Sequence, residues 1–491
     1  MKQVRKILFM LCVAFPALCP SMINAQIHNP NPEQFISADA AIEHAQRKLL
    51  HTLEELGFNS SLHPGHTDRQ SGRWDTGYLK RTEWTSGFFS GSLWYMYKLT
   101  GDIVWRDYAV MWTDDLESAS GITYDHDTGF RIFTSYGNAY NLTEGRNYYR
   151  VLLNAAETLS QRFNPRIGAI KSWDWIGHFP VIIDNLMNLE ILFWTAEQTG
   201  NRKFYNVALT HAETSLKHHL RADGSTYHVV DFDDFGNINW KDTRQGYNSQ
   251  SVWARGQAWA IYGFTMIYRF TGEQRFLEAA VSASNYFINN LPPDYIPIYD
   301  FMEPYGSVRT KDTSAAAIAA SGLFELYTFT NNMRYFNTAV RILNSLSTEE
   351  YSTLNDEISS ILKKSTLHRG HGNIGTSYAD YYYLEAIIRY LELNDTVFPT
   401  LAGIPVLFLD QNYPNPFNNS TKIHYSIDEP GMVEISVYDM SGRKITTILN
   451  QNLSSGNYQV SFDATGLSSG VYFYVLRTTG NVITRKMVYL K

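Results

Sequence analysis

The chain has 491 residues, 14% aromatic and 18% charged, too apolar for a disordered protein and long enough for one large domain plus a small one. Its net charge of -7 argues against nucleic acid as a partner, because a phosphate-binding surface carries a basic excess. An anionic substrate would have to find local positive groups.

At the N-terminus, Lys2, Arg5 and Lys6 precede the apolar run Ile7 to Leu18, and Ile23-Asn24-Ala25 offers a cleavage site before Gln26. Residues 1–25 are therefore expected to be a signal peptide and the protein to be exported. Both cysteines, Cys12 and Cys19, lie in that leader, so the mature chain can hold neither a disulfide nor a thiolate metal site. Pro16 and Pro20 fit a lipidation signal at Cys19 poorly. No later stretch is long and apolar enough to span a membrane.

The next region carries an internal repeat. TGDIVWRDYA (Thr100 to Ala109), TGNRKFYNVA (Thr199 to Ala208), TGEQRFLEAA (Thr271 to Ala280) and TNNMRYFNTA (Thr330 to Ala339) each place an aromatic five residues after the threonine and an alanine nine after it. Glycine or asparagine after an apolar-periodic stretch marks a helix C-terminus, and the aromatic-plus-alanine run fits the buried face of a following helix. Each landmark is thus read as a helix-turn-helix joint. Their intervals of 99, 72 and 59 residues exclude a regular solenoid and fit stacked hairpins with long insertions at one end.

Sixteen residues upstream of the four threonines lie Trp84, Ile183, Arg255 and Ser314. Sixteen helical residues span about 24 Å, so these positions should begin equivalent helices at one rim. Asp184, beside Ile183, is the one charge in Ile182-Ile183-Asp184-Asn185-Leu186-Met187-Asn188-Leu189, read as an apolar helical run. An indole, a carboxylate, a guanidinium and a hydroxyl would then converge at one end of a helical barrel, as a sugar site requires. Thirty-three Tyr and 11 Trp supply aromatic faces for pyranose rings, though most of them must be core. The plainer alternative is that these four residues cap and pack their helices.

After a last helical segment, Tyr378 to Leu393, come a Pro-containing link and alternating strands such as KIHYSI, VEISVYDM, YQVSFDA and VYFYVLRT. The expected organisation is a helical domain over 26–394, a linker at 395–405 and a small all-β sandwich over 406–491. QNYPNPFNNSTKIHYSI, YDMSGRKI, LSSGVYFYVL and the terminal KMVYLK resemble the C-terminal sorting domain of type IX secretion cargo in Bacteroidota. That resemblance implies the type IX machinery as a partner and export through the periplasm of a Gram-negative bacterium to the surface or medium. A carbohydrate-binding module is the alternative for this segment.

TEWTSGFFSGSLW, DHDTGF, IIDNLMNL, WARGQAW, DTSAAAIAA and the Tyr-rich helix resemble the unsaturated glucuronyl hydrolases, glycoside hydrolase family 88. The resemblance implies an all-α (α/α)6 barrel and substrates that polysaccharide lyases leave with a 4,5-unsaturated uronic acid at the non-reducing end. Such enzymes hydrate a vinyl ether, unlike the usual two-carboxylate glycosidases. The family's general acid/base falls on Asp184, which its apolar neighbours are expected to keep protonated near neutrality. The second aspartate falls on Asp127 beside His126, a substrate-orienting residue. Binding residues fall on Trp84, Gln245, Trp253, Arg255 and Trp259, with His228 reached across a gap in the match. Arg255 and Trp259 are four apart and would share a helix face that holds the uronate.

No cofactor is implied. The series Asp125-His126-Asp127 is too short in acidic residues for a calcium loop, and no metal is expected. Relatives that accept sulfated glycosaminoglycans carry a Ser- and Lys-containing loop where this chain has Arg369-Gly370-His371-Gly372-Asn373. Glycosaminoglycan, ulvan-type and other uronate polymers therefore stay open as sources. The other readings are an unsaturated rhamnogalacturonyl hydrolase, a helical-barrel lyase and a non-catalytic surface glycan-binding protein.

Overall fold

A computed structural model describes residues 33–35, 38–143, 145–304, 309–394, 407–409, 411–412, 414–427 and 429–491. The expected signal peptide and the whole of the expected linker, 395–405, lie outside the described residues. Among the described residues thirteen α-helices occupy the first part of the chain: α1 (Ala38–Glu55), α2 (Ser86–Thr100), α3 (Ile103–Asp115), α4 (Asn138–Thr143), α5 (Arg146–Ser160), α6 (Asn185–Asn188), α7 (Glu190–Thr199), α8 (Arg202–His218), α9 (Ala254–Thr271), α10 (Gln274–Asn289), α11 (Thr313–Thr330), α12 (Met333–Leu346) and α13 (Ser377–Leu393). A π-helix, Gly129–Gly137, leads into α4.

The repeat is a joint made by one side chain. Thr100, Thr199, Thr271 and Thr330 are the last residues of α2, α7, α9 and α11, and the next residue, Gly101, Gly200, Gly272 or Asn331, caps the helix in the left-handed conformation. Each threonine hydroxyl donates to the carbonyl four residues back and accepts the N–H two residues on. It therefore satisfies an orphan carbonyl of one helix while fixing the residue that starts the next. The aromatic and alanine of each landmark, such as Trp105 with Ala109 and Phe276 with Ala280, are buried. They face the preceding helix, and α2 with α3, α7 with α8, α9 with α10 and α11 with α12 form antiparallel pairs.

Contacts pass from α2 to the π-helix, on to α6, α9, α11 and α13, and from α13 back to α2, so the ring of neighbours closes. Small residues permit the approach. A Cβ on Gly87 of α2 would lie 2.3 Å from the Arg131 carbonyl, and one on Gly322 of α11 would lie 3.0 Å from the Tyr262 backbone. The buried core includes the indoles of Trp94, Trp112 and Trp259 and the Tyr-rich face of α13.

The four upstream positions do fall at helix starts. Trp84 precedes α2 by two residues, while Arg255 and Ser314 are second in α9 and α11. The run around Asp184 differs from expectation: Ile182 ends a strand, Asp184 stands in the position just before α6, and Leu189 separates α6 from α7. A strand-to-helix corner replaces the uninterrupted helix because Ile182 and Ile183 are claimed by sheet pairing.

Strands β1 (Phe163–Asn164), β2 (Ala169–Ile170), β3 (Phe179–Ile182), β4 (Val229–Phe232) and β5 (Ile238–Asp242) lie in insertions between helices, as does the hairpin β6 (Ser365–His368) with β7 (His371–Ile374). Strands β3, β4 and β5 form one antiparallel sheet. The C-terminal region holds β8 (Phe408–Leu409), β9 (Ser420–Ile427), β10 (Gly431–Asp439), β11 (Lys444–Leu453), β12 (Gly456–Asp463), β13 (Gly470–Arg477) and β14 (Val482–Tyr489). They form two sheets, ordered β11-β10-β13-β14 and β12-β9-β8, around a shared core that includes Ile423, Ile435, Tyr474 and Met487. Among the described residues no helix is long and apolar enough to cross a membrane.

Candidate active site

One end of the helical ring carries a cleft lined by Trp84, His126, Asp127, Phe130, Trp173, Ile182, Asp184, Gln245, Trp253 and Arg255. Seven of the nine side chains selected from the sequence meet there. His228 lies directly behind them, and Trp259 does not reach the cleft.

Asp184 and His228 are brought together by strand pairing. Ile182 pairs with Val229, and the Ile183 N–H donates to the His228 carbonyl at 2.9 Å. Asp184 Oδ2 then lies 3.2 Å from His228 Nε2. On the far side of the ring, His228 Nδ1 contacts the Thr243 carbonyl, which can only accept, so Nδ1 carries a proton. At most one further proton fits between Nε2 and Oδ2. Asp184 makes no side-chain capping bond to α6, so the plain N-cap role is absent.

Burial pushes the Asp184 carboxyl up, but His228, His126 and Arg255 outweigh it and hold the group below the usual carboxylate value. This corrects the expectation that Asp184 is protonated near neutrality. Its apolar sequence neighbours desolvate it, whereas the groups that decide its charge come from distant segments.

Asp127 behaves in the opposite way. Burial and the adjacent Asp125 raise it well above the usual range, Asp184 adds to the rise, and Arg131 only partly opposes it. Asp125 is occupied otherwise: Arg131 grips both of its oxygens, and it accepts the Asp127 N–H at 3.0 Å. The π-helix that follows Asp127 is pinned by Asn188 of α6, whose Oδ1 accepts the Phe130 N–H at 2.9 Å. Asn188 Nδ2 must then be the group facing His126 Nδ1 at 3.2 Å. His126 is driven down to about 4 by burial, so its ring is neutral, and donation from Asn188 leaves its proton on Nε2. That Nε2 lies 3.4 Å from Asp127 Oδ1.

Arg255 is almost fully engaged by the protein. Its fork donates to the Thr366 carbonyl at 2.6 Å and the Leu367 carbonyl at 3.0 Å, with Asp312 and Ser314 each at 3.3 Å. It also lies 4.4 Å from the Trp253 ring centroid, and Trp253 in turn packs 4.5 Å from His228. The expectation of a guanidinium free to fork onto a carboxylate is thus revised: Arg255 contributes positive charge at the cleft while holding the β6–β7 hairpin. Gln245 Nε2 fastens to the same Leu367 carbonyl at 2.9 Å.

Trp259 is also corrected. One turn further into α9, its indole is fully buried between Phe130 and Tyr382, with centroids 5.2 and 5.5 Å away. Sharing a helix face with Arg255 placed it below the cleft floor rather than along its wall. Trp173, not among the nine, also lines the mouth, and its signal in the sequence is the paired indoles of Trp173-Asp174-Trp175.

A helical domain with two buried carboxylates and indoles around an open cleft fits the class of glycosidases. Residues 61–296 match Glycosyl Hydrolase Family 88, and residues 411–490 match the Secretion system C-terminal sorting domain. An unsaturated glucuronyl hydrolase of Formosa agariphila is 42% identical over 324 residues, covering 62% of this chain and 80% of that protein. An unsaturated chondroitin disaccharide hydrolase of Streptococcus pyogenes is 32% identical over 329 residues, 64% of this chain and 82% of its own length. The crystal structure of an unsaturated glucuronyl hydrolase specific for heparin superposes with a TM-score of 0.68 at 37% identity, covering 72% of this chain and 98% of that one. The chain belongs to glycoside hydrolase family 88, and it carries a type IX secretion tail.

Proposed function

We propose that the protein removes the 4,5-unsaturated uronic acid from the non-reducing end of lyase-generated oligosaccharides. The closed ring of helices is read as an (α/α)6 barrel over residues 26–394, joined through 395–405 to a sorting sandwich over 406–491. Residues 1–25 direct export into the periplasm of a Gram-negative cell, and the tail directs passage across the outer membrane.

The observation that carries this reading is the contact of Asp184 Oδ2 with His228 Nε2 at 3.2 Å in a buried cleft, beside Asp127, whose burial favours its neutral form. In the free site His228 and Arg255 keep Asp184 ionised. An entering uronate brings negative charge, which opposes that pull and favours the protonated carboxyl. Asp184 then gives its proton to C4, the C4–C5 π electrons form the new C–H bond, and positive charge shared with the ring oxygen develops at C5. Water attacks C5 and returns a proton to Asp184. The hemiketal opens and releases the leaving saccharide. Asp127, protonated, donates to a ring hydroxyl, and His126 orients the same sugar through Nε2–H. Trp84 and Trp253 offer aromatic surface, Gln245 and His228 hold the cleft wall and the proton, and Arg255 supplies the positive field.

The test is incubation of the purified protein with unsaturated disaccharides from chondroitin, heparin, ulvan and rhamnogalacturonan, following the conjugated double bond in the ultraviolet. Loss of absorbance on a uronate series, with no action on saturated glucuronides, supports hydration. A rise would indicate a lyase, and binding without change would indicate a glycan-binding protein.

A further inference from the structure

Burial along the cleft wall falls off in one direction. Trp253 and Arg255 are buried at the inner end, Trp84 and Trp173 are half-buried, and Trp175 is 65% exposed. Trp175 is not an isolated surface indole: it stacks on Trp173, with ring centroids 5.6 Å apart and planes within 25°. The cleft lining therefore continues outward as a stepped aromatic surface.

That surface is held rigidly. Asp174, between the two indoles, receives both terminal nitrogens of Arg162 at 3.1 Å, while Arg162 Nε donates to the Lys171 carbonyl at 2.7 Å. Trp173 bridges to Asp125, and the His126 N–H donates to the Ser172 carbonyl at 3.2 Å, which ties the segment to the loop carrying Asp127. A rigid, exposed ring loses little conformational freedom when a sugar stacks on it.

We infer that Trp175 is a subsite for the second sugar beyond the scissile bond, so that this chain favours oligosaccharides longer than a disaccharide. The inference rests on the reading of the cleft as an unsaturated oligosaccharide site. The terminal uronate must occupy the closed end beside Asp184, because no chain extends from its non-reducing side. The leaving saccharide must then run out through the mouth past Trp173, and the next ring reaches Trp175. Stacking needs only the C–H face of a pyranose and tolerates different hydroxyl patterns.

The experiment compares kcat/KM on unsaturated di- and tetrasaccharides of chondroitin, heparin and ulvan for the wild type, Trp175→Ala and Trp175→Phe. On the series that the wild type hydrolyses, Trp175→Ala should lose about tenfold on the tetrasaccharide, through KM, and little on the disaccharide. Trp175→Phe should recover most of the loss. Equal loss on both lengths would make Trp175 a support for Trp173 and overturn the inference, as would no loss on either. Inactivity of the wild type on every series would instead overturn the reading of the cleft.

Discussion

Asp184 Oδ2 and His228 Nε2 stand 3.2 Å apart, and both atoms are buried with no other hydrogen-bond partner among the described residues. Because the Thr243 carbonyl occupies the opposite nitrogen, removing His228 takes away both the proton store and the largest charge holding Asp184 down. In His228→Gln the effect of burial stands less opposed, so the Asp184 carboxyl should titrate at higher pH. Infrared difference spectra against Asp184→Asn should show the protonated carboxyl persisting to higher pH in the His228 variant. Turnover should fall by about 10²-fold, the usual contribution of a positioned proton donor. An unmoved titration would mean that His228 only braces the strand.

Both aspartates should weigh on turnover more than on binding. Asp184→Asn cannot deliver or recover a proton, so kcat should drop by about 10³-fold or more while binding of an unsaturated disaccharide by calorimetry is largely kept. Burial favours the neutral form of Asp127, and an amide keeps its shape and a donor but cannot exchange a proton with the neighbouring groups. Asp127→Asn should also bind substrate and lose about 10²-fold in kcat. An Asp184→Asn enzyme near the wild-type rate would refute the assignment.

Arg255→Lys should be far from conservative. A lysine ammonium cannot replace a fork that spans the Thr366 and Leu367 carbonyls while facing Asp312. The substitution should raise KM by loosening the β6–β7 hairpin and cost about 2 kcal/mol of stability, measured by thermal unfolding. Loss of kcat with an unchanged melting temperature would point to direct substrate contact instead.

The helix joints were legible because their chemistry is local. Threonine, a left-handed cap and a polar residue two positions on lie within three residues of each other, so Thr100-Gly101-Asp102 carries its structure in its own sequence. The position of Asp184 at the cleft was legible through its spacing from the second landmark, and that of His228 beside it through the family resemblance. What the sequence hid was set by distant partners. Arg255 spends its fork on carbonyls more than a hundred residues away, and the charge on Asp184 depends on His228 and His126 from other insertions. Trp259 was misplaced because an inner helix is buried on every side, so sharing a face with Arg255 does not set depth along the axis.

The closeness of α2 to the π-helix gives a packing prediction. Gly87 leaves room for the Phe130 and Arg131 carbonyls, which an added Cβ would meet at 2.4 and 2.3 Å. Those contacts are backbone and cannot swing aside. Gly87→Ala should therefore destabilise the fold by about 1–3 kcal/mol and shift the π-helix that follows Asp127, lowering activity further than the melting temperature alone explains. A wild-type melting curve would show that the two helices separate easily.

Asp380 makes stability depend on pH in a direction opposite to that of most carboxylates. It sits at the start of α13, where burial pushes it up to about 7 despite N–H groups donated by Ile361 and Leu362 and the charge of Lys48. Unfolded, it would titrate near the usual 3.8. Between those two values the native state holds more protons than the unfolded state, so stability falls as pH rises. The loss is complete only above the folded value, once Asp380 must be buried as an anion. Asp380→Asn cannot titrate and should remove that slope, although one backbone N–H loses its acceptor and the variant starts less stable at acid pH. The difference in melting temperature between wild type and Asp380→Asn, measured from pH 4 to 8, should therefore shrink as pH rises. A constant difference would show that the two N–H groups keep Asp380 ionised throughout.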